Sequence, residues 1–449
     1  MVLDKYLKAV DRTDPVKYVG RVERVQGILV ESTGPRAAVG EFCRIISSSG
    51  ATYLAEVVAV QGTNIQLMSF DPLTGLEAGD MVVASGEPLG IPVGQDMLGR
   101  VFDALGRPMD GKGPISVETV YPAQADPPSP LDRAPINRRI DTGIRAIDAL
   151  MPVGRGQRMG IFAGSGVGKS TLLGMVARNT SADVNVIALI GERGREVREF
   201  IENDLGEEGL ARSVLVVSTS DTPALARVRG AFTATAVAEY FRDQGKDVML
   251  LFDSVTRFAM SQREIGLAIG EPPTTRSYTP SVFSLLPRLV ERPGVSPEGT
   301  ITGLYTVLVE GDDMDEPVAD AVRGYLDGHV VLDRRLAARN HYPAIDVLSS
   351  VSRVAPRLMT ERTAAAAGKI RRLIATYKEK EDLIDVGAYA RGSDVEVDEA
   401  IEKRPVINEF LVQGVGEREE SASLFTRAAQ IAGLPPIEDS GNEELSVFA

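Results

Sequence analysis

Tryptophan is absent from the 449 residues, cysteine occurs once, at Cys43, and histidine twice, at His329 and His341. One cysteine excludes an intramolecular disulfide framework, and three Cys and His residues are too few for a Cys/His metal cluster. A reducing compartment is the expected setting. Long apolar runs are lacking as well, since pieces such as Val186 to Ile190 and Val248 to Phe252 fall far short of the ~20 residues needed to cross a bilayer. Positive charge is in deficit: 49 Lys and Arg stand against 63 Asp and Glu, a formal net charge of −14. That balance argues against a nucleic-acid surface as the main partner, though it leaves room for a local basic groove. The first residues carry Asp4, Lys5 and Lys8 among apolar neighbours, which is no secretory signal, so a cytoplasmic protein is expected.

What is present divides the chain into about three domains, as its length suggests. Val2, Leu3, Tyr6, Leu7 and Val10 share one face of a short helix, either docked on its own domain or free to bind a partner or a lipid surface. Short β segments follow at Val19 to Glu31, Phe42 to Ile45, Tyr53 to Gln61, Ile65 to Phe70 and Met81 to Ala84, separated by turn residues, which predicts a small β-barrel over residues 1–90. Its aromatics are sparse and it has no lysine between Val19 and Ala84, so a structural role is expected rather than stacking of bases. Gly86 to Pro135 is rich in Gly and Pro and reads as connecting turns and an extended crossing.

From there to residue 365 strand and helix patterns alternate. Val184 to Ile190, Ser213 to Ser218 and Asp247 to Phe252 read as buried parallel strands, with helices at Glu192 to Asp204 and Pro223 to Gln244. An α/β sheet over residues 91–365 results, with any nucleotide at the C-terminal ends of its strands. Residues 366–449 lose the strand signal. Ala364 to Thr376, Lys378 to Ile384, Asp394 to Leu411 and Glu419 to Ala432 read as amphipathic helices of a C-terminal helical domain.

Arg158 to Asn179, RMGIFAGSGVGKSTLLGMVARN, is the most informative stretch. An apolar run, Met159 to Ala163, meets the loop Gly164, Ser165, Gly166, Val167, Gly168, and then Lys169, Ser170 and Thr171 open a helical pattern. The glycines let successive backbone N–H groups converge on phosphate oxygens ahead of a positive helix N-terminus. Lys169 would place a point charge on the β- and γ-phosphates, the Ser170 hydroxyl would complete the shell of a Mg²⁺ bridging them, and Thr171 would lie near the α-phosphate. Ala163 replaces the usual first glycine, a small residue that keeps the logic of the loop.

Two carboxylates complete the chemistry. Asp253 ends the apolar run Val248 to Phe252 at a strand end, where it can hold a Mg²⁺-bound water. Glu192, in IALIGERGRE, follows another strand and can orient water for in-line attack on the γ-phosphorus, with Arg193 beside it to neutralise that phosphate. Glu196 reads as a charge placed on the helix dipole.

The segments PINRRIDTGIRAIDALMPVGRGQRMGIFAGSGVGKST, ALIGERGREVREF, LLFDSVTRFAMSQREIGLAIGEPPTT, YPAIDVLSSVSRV and LGRVFDALGRPMDG resemble, in order and over nearly the whole chain, the catalytic subunits of rotary ATPases. AGSGVGKS, GERGREVREFIE and GEPPTTRSYTPSVF are most similar to the ATPases of flagellar type III protein export, with virulence-type secretion ATPases as close relatives.

The resemblance implies a RecA-like P-loop core between a β-barrel and a helical domain, stacked in three tiers of a homohexamer that hydrolyses ATP with Mg²⁺. It implies Lys169 and Ser170 at the phosphates and metal, Glu192 as catalytic glutamate, Arg193 and Arg257 as site arginines, Arg353 as a finger given to the adjacent subunit, and Tyr342 stacked on adenine. It further implies a stator-like regulator at the N-terminus, a central stalk in the ring lumen, and an export gate with exported proteins and chaperones. The setting would be the inner face of the cytoplasmic membrane. The acidic loop Glu310 to Glu316 and the GEPPTT segment would face the lumen. Ser277 stands where the family has glycine.

A non-catalytic ring subunit would lack the carboxylate of Glu192, and a nucleic-acid translocase fits poorly with the acidic charge and the bare barrel. An export ATPase is the expectation, with a virulence secretion ATPase or an ATP synthase subunit sharing the same chemistry.

Overall fold

A computed structural model of the protein describes residues 19–437, apart from 132, 310 and 312. The predicted N-terminal helix, and Glu310 and Asp312 of the acidic loop, lie outside the described residues.

Six antiparallel strands close a barrel in the order Val19–Gln26, Leu29–Thr33, Asn64–Ser69, Thr52–Gln61, Glu41–Ile46, Met81–Pro88. Alternation along each strand sends Val22, Val30, Ile45, Val57 and Leu67 inward to a small core of their own. The stretch expected as one strand from Val19 to Glu31 is a hairpin. Gly27, at φ +60°, turns the chain between Gln26 and Leu29, a conformation that glycine adopts without steric cost. Closure removes the exposed edges that short strands would otherwise present.

The central domain is a doubly covered sheet. Its order is Val351–Ser352, Gly328–Leu332, Arg158–Ala163, Thr300–Leu308, Asp247–Asp253, Val184–Ile190, Ser213–Ser218, Arg100–Phe102, parallel throughout except at the first pair. Every residue of Val184–Ile190 is buried between helical layers; all but Asn185 are apolar, and Asn185 donates its amide to Ala177 O at 2.8 Å. Val186, Ala188 and Ile190 pack on one face with the Ala-rich helix Ala224–Asp243, while Ile187 and Leu189 pack on the other with the helix Lys169–Asn179. At about 1.5–3 kcal/mol for each large side chain taken out of water, these two layers dominate the cohesion of the domain. The segment expected as turns and a crossing does more than connect: Arg100–Phe102 supplies an edge strand, and Gly90–Val93 pairs with Thr119–Pro122.

Just beyond the helix Ala355–Leu358, Thr360 caps a helix that runs unbroken from Glu361 to Asp385, accepting from Thr363 N. This helix merges the two that the periodicity predicts and crosses the expected division at 365/366. With Val395–Leu411 and Ser421–Ala432 it forms a bundle whose Ile370, Phe410 and Phe425 belong to the same core as the helix Lys169–Asn179. The helical domain therefore packs on the sheet face that carries the phosphate loop. The barrel packs on the opposite core, through Leu29, Met68 and Phe70. Across that junction Arg229 and Glu56 form a buried ion pair, with Glu56 2 % exposed.

Candidate active site

Three adjacent parallel strands, Arg158–Ala163, Thr300–Leu308 and Asp247–Asp253, and the next one, Val184–Ile190, end together, and the candidate groups leave from those ends. Ala163, 1 % exposed, closes the first strand; the loop then passes buried Gly164, exposed Ser165 and Gly166, and Val167, which plugs into the core. Gly168 caps the helix Lys169–Asn179 at φ +87°, a left-handed conformation that turns the first N–H groups of the helix toward the loop. Ser170 is exposed in the first turn, and Thr171 hydrogen-bonds the half-buried carboxylate of Asp204.

Lys169 lies between the two predicted carboxylates. Its ammonium pairs with Asp253 Oδ1 and stands 3.6 Å from Glu192 Oε1. Burial draws the ammonium pKa down, but Asp253 and Glu192 outweigh it and the net shift is upward. Burial, then repulsion from Asp253, raises the pKa of Glu192 above the ordinary carboxylate value, with Lys169 and Arg257 opposing. Glu192 Oε1 is buried with no hydrogen-bond partner. A buried, unsatisfied carboxylate oxygen with a raised pKa is the arrangement expected of a group kept ready for a proton or a water.

The turn holding Glu192 is fixed by its backbone: Gly191 N donates to Ser218 O at 2.6 Å, and Glu192 O accepts from Ser220 N at 2.9 Å. Gly191 has φ +75°, and a Cβ there would come within 2.7 Å of Arg257 Cβ. The missing side chain thus admits Arg257 to the site. Arg257 rises from the helix Val255–Ala268, which Ser254 caps by accepting from Arg257 N at 3.3 Å.

Tyr342 closes the other side. A side chain on Gly168 would lie 3.5 Å from the Tyr342 ring, which is 39 % exposed and so presents a free face beside the loop. The helical domain holds it in place: Gln413, 3 % exposed, donates its N–H to Tyr342 O at 2.8 Å while its amide joins Arg145 N and Gly143 O.

Two expected site arginines stand apart. Arg193 is exposed and pairs with Glu196 at 2.9 Å. Arg353 is exposed beside the start of the strand Gly328–Leu332, its N–H on Asp327 O at 2.9 Å, whereas the loop follows Ala163, which pairs with Leu332 at the other end. Roughly 16 Å of strand separates them, so Arg353 does not serve its own loop.

Two residues that the sequence reading passed over support the site. Thr306, fully buried, donates its hydroxyl to Asp253 Oδ1 at 2.7 Å, and Gln413 anchors Tyr342. Thr306 could have been found by asking why a hydroxyl interrupts the apolar run of TITGLYTVL; nothing local marks Gln413. Arg276, the residue after the GEPPTT segment, pairs with Asp313 of the acidic loop at 2.7 Å. Ser277, at φ +61°, occupies the left-handed region that favours glycine.

The β-barrel domain of the ATP synthase alpha/beta family matches residues 22–86, its nucleotide-binding domain residues 143–352, and the C-terminal domain of type III secretion EscN ATPases residues 359–427. The flagellum-specific ATP synthase of Treponema pallidum (strain Nichols) is 56% identical over 96% of this chain and 97% of its own length. The chain belongs to the flagellum-specific and type III secretion ATPase family. A type 3 secretion system ATPase of Xanthomonas euvesicatoria is 52% identical over 88% of this chain and 89% of its own. The assembled ATPase EscN of enteropathogenic E. coli, solved in complex with its central stalk EscO, superimposes with a TM-score of 0.86 at 45% identity, covering 92% of this chain and 100% of that one. Lys169, Glu192 and Asp253, which converge at the strand ends, all lie within the residues matched by the family's nucleotide-binding domain. No helix among the described residues is long and apolar enough to cross a membrane.

Proposed function

We propose that this ATPase hydrolyses ATP with Mg²⁺ in a homohexameric ring at the cytoplasmic face of the membrane, driving flagellar protein export. The observation that carries the chemistry is the clamp of Lys169 between Glu192 and Asp253 beside a glycine loop. On nucleotide binding the ammonium exchanges its carboxylate partners for phosphate oxygens, which frees Asp253 and Glu192 to act. Mg²⁺ fits the donors: among the described residues no three or more His, Cys, Asp or Glu gather around a cation, whereas Ser170 offers a hydroxyl and Asp253 a carboxylate. Magnesium takes few protein ligands and keeps water and phosphate oxygens, and when bound it would neutralise charge between the phosphates.

Glu192, held above the usual carboxylate pKa by burial and Asp253, orients the attacking water and accepts its proton. Arg257 balances charge at the γ-phosphate, with Arg193 able to swing in from its exposed pairing with Glu196, and Tyr342 stacks on the adenine. Arg353 acts on the neighbouring subunit's nucleotide, a reading supported by its exposure and its distance from its own loop. A transition-state arginine given in trans contributes about 10³–10⁵ in rate.

A stator-like regulator on the N-terminal segment, a stalk in the lumen touching the GEPPTT and acidic loops, and an export gate with exported proteins and their chaperones complete the proposed assembly. The stalk is supported by the EscN–EscO complex. Native co-purification tests the export reading: flagellar export components support it, needle-complex components would assign the chain to virulence secretion, and ATP synthase subunits would overturn it. Activity that rises with protein concentration in the wild type, and near-complete inactivity of Arg353→Ala, test the shared site.

A further inference from the structure

A second cavity lies away from the phosphate loop, where the nucleotide-binding domain meets the helical bundle. About 110 Å³ in volume, it is walled by Leu336, Ile345 and Leu348 on one side and by Ile374, Tyr377 and Leu411 on the other. Three of the four cations on its wall are matched. Arg335 pairs with Asp333 at 3.0 Å, Arg339 with Glu381 at 3.0 Å, and Lys378 with Asp346 at 3.3 Å.

The fourth cation, Arg404, feels the charge of Glu381 but makes no close ion pair among the described residues. Its guanidinium lies over the Tyr377 ring at 4.7 Å, and among the described residues it has no ion pair and no hydrogen-bond acceptor. Asn408 lies one helical turn further along and is also on the cavity wall, and among the described residues its side-chain amide has no hydrogen-bond partner. His341 faces the same space. Burial and then the charge of Arg404 hold its imidazole below the ordinary range, so it faces the cavity uncharged. With three carboxylates against four cations, and His341 neutral, the wall carries a net charge of +1.

A planar guanidinium that is already seated on an aromatic ring and makes no ion pair is preorganised for a carboxylate. The remaining wall is apolar. At about 110 Å³ the cavity is smaller than the ~150 Å³ cavity that encloses benzene, but it opens to solvent, so a single ring or a short branched chain can seat its apolar part there. We propose that this interdomain cavity binds a small apolar monocarboxylate, its carboxylate on Arg404 and its apolar body among Leu336, Ile345, Ile374 and Leu411. The site is separate from the nucleotide site, although His341 immediately precedes Tyr342.

Titration calorimetry of sodium benzoate into the full-length protein tests this. Saturation at one site per chain is expected, with a Kd in roughly the millimolar range. Benzamide, which lacks the charge, and orthophosphate, which lacks the ring, should each bind at least about tenfold more weakly. Arg404→Gln removes the charge, and Leu336→Trp fills the cavity from the apolar side; each should weaken benzoate at least about tenfold. The far-UV spectrum shows which variants fold, and either one suffices. Absence of saturation up to about 50 mM, equal binding of benzamide or orthophosphate, or wild-type affinity in a folded variant would overturn the proposal.

Discussion

Replacing Thr306 by valine isolates a contact that does not itself touch the nucleotide. Thr306 is fully buried on the strand Thr300–Leu308, and its hydroxyl reaches Asp253 Oδ1 at 2.7 Å. Lys169 shares that oxygen. Once Lys169 turns to the phosphates, the Thr306 hydroxyl is the donor left to orient Asp253. A hydrogen bond to a charged group contributes about 1.5–3 kcal/mol, and valine keeps the shape while deleting the donor. Thr306→Val should therefore lower kcat/KM for Mg-ATP by about ten- to a hundredfold and raise the Mg²⁺ concentration needed for half-maximal rate. Thr306→Ser keeps the hydroxyl and loses one methyl, so it should stay within a few-fold of wild type at a stability cost of about 1 kcal/mol. Steady-state hydrolysis across a Mg²⁺ series, with thermal melts of both variants, gives the answer. Thr306→Val turning over like wild type, with an unchanged Mg²⁺ requirement, would refute the claim that Thr306 positions Asp253.

Further predictions concern charge and backbone. Glu192 must be ionised to accept a proton, and its pKa lies above the ordinary carboxylate value, so kcat should fall on acidification at a pH above the usual Glu range. The sign for stability is opposite: a raised folded pKa favours the protonated form, so ionising Glu192 costs stability as pH rises from the unfolded to the folded pKa. Glu192→Gln should accordingly melt no lower than wild type at neutral pH, and a clear loss of Tm would contradict the raised pKa. Arg229→Ala, which strands buried Glu56 at the barrel junction, should cost about 3–5 kcal/mol in urea unfolding, while Glu56→Met with Arg229→Met should recover most of it. Ser277→Gly should stabilise by up to about 1 kcal/mol and Ser277→Val should destabilise by more, since φ is +61°; the reverse order would show that the loop relaxes instead.

The phosphate loop and the strand Val184–Ile190 were legible because local chemistry alone specifies them: small residues where the backbone must approach phosphate, and the apolar run Val186 to Ile190 where both faces are covered. Strand ends then located Asp253 and Glu192. The strand Thr300–Leu308 was not legible, because Thr302 and Thr306 break its apolar run; both are buried, one accepting from Gly156 N and the other donating to Asp253. Arg100–Phe102 hid among glycines and prolines because an edge strand of three residues leaves almost no periodic signal. The turn at Gly27 was masked by apolar residues on both sides. Arg353 had no local mark at all, and the role proposed for it, on a neighbouring subunit, would be specified by the assembly and not by its own surroundings. Gln413 fixes Tyr342 from 71 residues away, a contact that only the packed bundle creates.

The central claim is that Lys169 binds the nucleotide while Glu192 acts on the attacking water. Equilibrium ATP binding and steady-state turnover of purified Glu192→Gln, measured on the same preparation, test it most directly. The account predicts near wild-type affinity with turnover reduced by at least about a hundredfold, as expected when general-base assistance is lost. Hydrolysis at the wild-type rate would contradict it and remove Glu192 from the mechanism.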